Sequence, residues 1–169
     1  YWRASEAWVL KNRAVSDVYE YGSVQKPITL AIALENGVIN KDYICNDNKG
    51  YMDLFEATGY ADLKGKRIYT WNRKAAGMLD IAGIFKESNN PCTAKIALKM
   101  DFNEFYSALK EFGIGEFIGI GLQEESSSYI KGKESWTKLD TITTSYGQGG
   151  ISATSLQVLS ALSTFANDG

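Results

Sequence analysis

Ser23 and Lys26 stand three residues apart, with Gly22 just before them and Pro27 just after, at the mouth of an apolar stretch. On a helix this spacing puts both side chains on one face with Cβ atoms roughly 5–6 Å apart, so a lysine amine reaches a serine hydroxyl. The chemistry such a pair offers is nucleophilic acyl transfer, in which the amine takes the hydroxyl proton and the oxygen attacks a carbonyl. The chain contains no histidine. That excludes a Ser-His-Asp arrangement and leaves lysine as the base for an acyl-transfer serine.

Spacing alone does not select this pair, because Ser107/Lys110, Ser128/Lys131 and Ser135/Lys138 repeat it. Context separates them. Only Ser23 has a glycine immediately before it and a long apolar helix after it; Ser107 falls within an amphipathic helix, and the other two lie in polar, Ser-rich sequence. On spacing alone each pair reads as solvated surface, and Ser23 by itself reads as a helix cap.

The run Asn12-Arg13-Ala14-Val15-Ser16-Asp17-Val18-Tyr19-Glu20-Tyr21-Gly22-Ser23-Val24-Gln25-Lys26-Pro27 reverses those odds. It resembles the stretch that leads into the active-site helix of class B penicillin-binding proteins, the serine acyltransferases that cross-link peptidoglycan, except that Tyr21 stands where that family has proline. Ser88-Asn89-Asn90 sits where the family carries Ser-x-Asn, and Ser145-Tyr146-Gly147-Gln148-Gly149 is similar to its Tyr-Gly-Gln-Gly segment. The resemblance implies a D,D-transpeptidase that binds the peptidoglycan stem peptide and β-lactams. Ser23 would then be the nucleophile on the D-Ala-D-Ala carbonyl, Lys26 its base, and Ser88 and Asn90 the proton shuttle and substrate-orienting amide. Backbone N–H groups, that of Ser23 among them, would hold the oxyanion.

Departures accompany the matches. The chain stops at Gly169 before the family's Lys-Thr-Gly strand, and the sheet strands expected ahead of Tyr1 are absent. The resemblance therefore implies one partial transpeptidase domain over residues 1–169, its helical middle. From the missing strands we expect Lys26 to stay hydrated and protonated and the isolated chain to be weakly active or inactive. Ala76 replaces a common histidine, Phe117-Ile118 a Lys-Thr, Gln123-Glu124 a Pro-Gly, and Ser155 a proline, while Gly149-Gly150 inserts one residue. A divergent enzyme and a truncated or redesigned non-catalytic helical scaffold both remain as readings.

The elements that must position these groups follow from periodicity and caps. Pro27 suits the first turn of a helix whose Ile28, Ala31, Ile32 and Leu34 are apolar and which stops at Asn36-Gly37. Residues 38–73 break into short pieces, with a turn at 46–50 and a short strand near Arg67–Trp71. Asp80 to Phe85 predicts a helix ending near Ser88, and Thr93 to Met100 continues helically. Asp101 or Asn103 caps a helix through Phe105, Leu109 and Phe112 that stops at Gly113. Thr154 caps the last helix, with Val158, Leu159, Leu162, Phe165 and Ala166 on one stripe and Gly169 at its end. The expected fold is mainly α with small hairpins, the helical part of a penicillin-binding-protein and β-lactamase-like transpeptidase domain.

Composition bounds the partners. The 18 basic and 20 acidic residues are well mixed, net charge −2, with no basic stripe for nucleic acid and no polybasic membrane patch. Cys45 and Cys92 lack the spacing and the histidines of a zinc set, so no metal and no cofactor is expected. They read as buried free thiols, with a single disulfide as the alternative. The Gly147–Gly150 run lacks the ending of a phosphate loop. No segment reaches the roughly 18–20 apolar residues that span a bilayer. Resemblance places the protein in the cell envelope, on the outer face of the bacterial inner membrane.

Overall fold

The computed structural model describes residues 11–167. The chain enters through a single turn, α1 (Arg13–Ser16), capped by the Asn12 side chain, and runs extended to Tyr19. A 3₁₀ turn over Gly22–Gln25 then feeds directly into α2 (Lys26–Glu35). Pro27 sits in the first turn as expected, where its missing N–H costs nothing. Ile28, Leu30, Ile32 and Ala33 are all buried, so α2 runs through the main core; Leu34, expected inside, faces solvent.

Next come β1 (Cys45–Asp47), β2 (Tyr51–Asp53), α3 (Leu54–Thr58), β3 (Arg67–Tyr69) and β4 (Gly77–Leu79). The short strands anticipated here exist, but they are nested rather than local: β2 pairs antiparallel with β3, and β1 reaches past both to pair with β4, Cys45 opposite Leu79 and Asp47 opposite Gly77. Helix α4 (Ile81–Lys86) is capped by Asp80, α5 (Asn90–Ala97) by Asn89, and α6 (Phe102–Glu111) by Asp101 rather than Asn103. Helix α6 stops at Gly113 as its sequence indicates. Then follow β5 (Tyr129–Ile130), α7 (Lys138–Thr144), β6 (Ile151–Ser152) and α8 (Ser155–Ser163), with β5 antiparallel to β6.

The main core gathers Ile28, Ile32, Ile84, Ile96, Phe105 and Leu109 from α2, α4, α5 and α6, and a smaller cluster of Met52, Leu63, Ala94, Ile142 and Tyr146 lies under β2. Two expectations need correction. Cys45 and Cys92 are not free thiols: β1 and the first turn of α5 bring their Cα atoms to 5.9 Å, and they form a disulfide. On α8 Val158 and Ala161 are buried and Leu162 packs against the core as expected, while Leu159 is 63% exposed and Phe165, in the 3₁₀ turn after the helix, faces out. Thr154 caps α8 in a capping box with Gln157, as its sequence predicts; Gly169 lies outside the described residues.

Candidate active site

The four residues singled out from sequence come from two stretches of chain, 23–26 and 88–90. Ser23 lies in the 3₁₀ turn, Lys26 begins α2, Ser88 follows α4, and Asn90 begins α5. The structure brings the first three together. Lys26 Nζ lies 2.9 Å from Ser23 Oγ, 2.8 Å from Ser88 Oγ and 2.7 Å from the Ser88 carbonyl, and the two serine hydroxyls are 3.0 Å apart. Asn90 instead donates its amide to the Tyr69 carbonyl at 3.2 Å, at the exposed rim.

Ser88 is held by the way α4 ends. With Glu87 as C-cap, the Ser88 N–H bonds Phe85 O and the Asn89 N–H bonds Ile84 O, the pairing of a Schellman cap. That cap requires a left-handed residue after the helix, and Ser88 takes φ +48° where glycine is usual. Non-glycine residues held there cost of order 1 kcal/mol and cluster at functional sites. Both the hydroxyl and the carbonyl of this serine meet Lys26 as a result.

Lys26 is only 2% exposed. Burial lowers its pKa from 10.5 to about 8. This overturns the expectation of a hydrated amine, since the Ser88 oxygens and Ser23 Oγ surround it, while at neutral pH the amine still holds its proton for most of the time. Three oxygens surround the amine at hydrogen-bond distance. A neutral amine fits them fully. It would donate twice to the Ser88 oxygens and accept the Ser23 proton, whereas the charged amine donates to all three oxygens, Ser23 Oγ included; the Ser88 hydroxyl donates to Ser23 Oγ.

On the other side, Tyr146-Gly147-Gln148-Gly149 packs against the residues before Ser23. Gly22 donates to Gly147 O at 2.9 Å, and Gly149 donates to Glu20 at 2.9 Å. A Cβ on Gly147 would lie 2.1 Å from the Gly22 oxygen, so only glycine permits this approach. Tyr19 and Ala153 exchange both backbone bonds alongside. Burial, reinforced by Glu20, pushes the Tyr146 phenol up to about 12, so it stays protonated.

Two residues behind the site were not found by sequence reasoning. Asn89 is fully buried; its side-chain oxygen caps α5 at Cys92 N, and its amide donates to buried Asp47 Oδ2 at 2.7 Å. Asp47 Oδ2 also accepts from Ala76 N, and the Cys45–Cys92 disulfide fastens the same strand to the same helix. The Asn-Asn-Pro run signals a cap at Asn89. Nothing local signals its partner.

The other Ser-x-x-Lys pairs do different work. Lys110 pairs with Glu116 and Lys131 with Asp140, Ser128 Oγ accepts from Gly115 N and Glu116 N, and Ser135 bonds Gly132 O within its own turn. In none of the three does the lysine bond its serine.

A family model described as penicillin binding protein transpeptidase domain matches residues 3–169. The chain is 32% identical over 140 residues to the peptidoglycan D,D-transpeptidase FtsI of Buchnera aphidicola, covering 83% of this chain and 22% of that protein. It is 31% identical over 159 residues to stage V sporulation protein D of Bacillus subtilis, covering 94% and 23%. The apo TP domain of Burkholderia pseudomallei penicillin-binding protein 3 superposes with a TM-score of 0.84 at 25% identity, over 95% of this chain and 45% of that one. The chain thus spans about a quarter of the length of the curated relatives it matches. Motifs, fold and relatives agree, and the chain belongs to the penicillin-binding-protein transpeptidase domain family, of the class B type.

Proposed function

We propose that residues 1–169 are one part of a peptidoglycan D,D-transpeptidase domain in which Ser23 is the acylated nucleophile. The observation that carries this reading is the closed triangle of Ser23 Oγ, Lys26 Nζ and Ser88 Oγ, with sides of 2.9, 2.8 and 3.0 Å. Neutral Lys26 takes the Ser23 proton as Oγ bonds to the penultimate D-Ala carbonyl carbon. Ser88 passes that proton to the departing nitrogen as the C–N bond breaks, giving an ester on Ser23 and free D-Ala. The amine of a second stem peptide then attacks the ester, and its proton returns through Lys26 to Ser23. Asn90, at the rim, orients the peptide. A β-lactam enters the first half of this sequence and stops at the ester.

The buried disulfide supports an oxidising compartment, in line with cell-wall synthesis outside the cytoplasmic membrane. No helix among the described residues is long and apolar enough to cross a membrane.

The test is intact-mass analysis of the protein after incubation with a penicillin, beside Ser23→Ala. Because Lys26 is buried and bonded to both serines, we expect a mass gain of one penicillin, built up slowly in line with a weakly active partial domain, that the substitution abolishes. A folded protein that gains no mass would instead support the non-catalytic scaffold.

A further inference from the structure

Tyr21 occupies the position where the resembled family has proline, and it is 7% exposed. Proline would fix the backbone before the nucleophile through its ring, at φ near −65°; Tyr21, at φ −89°, has no such constraint. It makes a different connection. Its hydroxyl donates to Gln25 Oε1 at 2.8 Å, Gln25 Nε2 donates to Thr29 Oγ1 at 3.3 Å, and Thr29 Oγ1 donates to Ser145 O at 2.8 Å. Gln25, Thr29 and Ser145 are fully buried, so no water can replace a lost partner.

The two ends of this chain of bonds matter. Tyr21 and Gln25 bracket Ser23, since the 3₁₀ turn runs Gly22–Gln25. Ser145 immediately precedes Tyr146-Gly147, the segment whose Gly147 carbonyl accepts from Gly22 N. The turn that presents the nucleophile is therefore fastened twice to the same late segment, once by backbone at Gly22 and once by side chains through Gln25 and Thr29. Burial pushes the Tyr21 phenol well above its ordinary range, so it stays protonated and able to donate at any pH where the enzyme works.

We infer that Tyr21, Gln25 and Thr29 are positioning residues that hold the Ser23 turn against Ser145, replacing the stiffness of proline with a buried hydrogen-bond relay. This rests on the reading of Ser23 as nucleophile. None of the three touches the reacting atoms. Their effect reaches acylation through the placement of Ser23 Oγ and its N–H, where small displacements lower rates steeply. Loss of one link leaves a buried donor or acceptor unmatched, and the turn shifts to satisfy it.

The experiment resolves penicillin acylation into a non-covalent dissociation constant and an acylation rate constant, for Tyr21→Phe, Thr29→Val and Thr29→Ser, with thermal unfolding recorded for each. Tyr21→Phe and Thr29→Val should each lower the acylation rate constant about tenfold, with the dissociation constant unchanged and the pH midpoint of acylation unmoved. Thr29→Ser keeps the hydroxyl and should acylate like the unsubstituted protein. Wild-type acylation rates in the first two, even with lowered thermal stability, would overturn the inference by leaving the relay a purely structural role. A Thr29→Ser variant as slow as Thr29→Val would overturn it as well, because packing of the methyl group would then be the cause. No adduct on the unsubstituted protein would overturn both this inference and the reading of Ser23, whereas an adduct with unaltered variants overturns this one alone.

Discussion

On the proposed reading, Lys26 sets the pH dependence of the site. Burial lowers its pKa to about 8, so acylation should rise with pH to a plateau with its midpoint near that value. Stopped-flow rates that stay flat between about pH 7 and 9 would remove Lys26 as the base. The same burial bears on stability. The unfolded chain holds this proton up to 10.5 and the folded chain releases it above about 8. Between those values the unfolded state binds more protons, so stability rises with pH there; the penalty of a buried ammonium, about 3 kcal/mol, applies in full below 8. Urea unfolding from pH 8 to 9.5 should show a rise in the protein that Lys26→Met lacks. Comparing the two also cancels the tyrosines, whose raised pKa values act in the opposite direction.

At the scale of elements, the proposed reading has the junction between α4 and α5 trade stability for chemistry. Ser88 stands at φ +48° in a cap that favours glycine, so Ser88→Gly should unfold at higher denaturant than Ser88→Ala by about 1 kcal/mol, while both lose the proton relay and slow acylation. Equal stability of the two variants would mean that the cap carries no strain. Much of this scale is legible in sequence, because caps are local: Asp80, Asp101 and Thr154 each accept bonds from the N–H groups just after them, whereas α7, capped by Thr137, falls where the sequence reads as a polar loop. The Ser23–Lys26 pair is legible for the same reason. The rest depends on distant partners. Asp47 reads as a turn residue within Asn46-Asp47-Asn48, yet it is buried under Asn89, 42 residues later. The burial of Lys26 depends on the Ser88 carbonyl, 62 residues away, so the chain up to α2 carries no sign of it. Strand pairing was partly hidden too, since β1 skips β2 and β3 to reach β4.

For the whole molecule, the disulfide is the strongest single tie. It closes a loop of 47 residues that contains both strand pairs of the middle region, and reduction should lower unfolding free energy by about 4 kcal/mol. Unfolding midpoints with and without a phosphine reductant measure this, and coincident curves would show that packing alone holds β1 on α5. The bonds that assemble the site span still longer distances: Ser88 meets Ser23 across 65 residues, and Thr29 meets Ser145 across 116. Contacts this remote raise the contact order, which slows folding. Ser23 leaves the ribosome well before Ser88 and Ser145, the residues that complete its surroundings. A half-made chain holds Ser23 and Lys26 without Ser88 and without the Ser145 carbonyl that Thr29 meets, so the proposed site stays incomplete until both have been made.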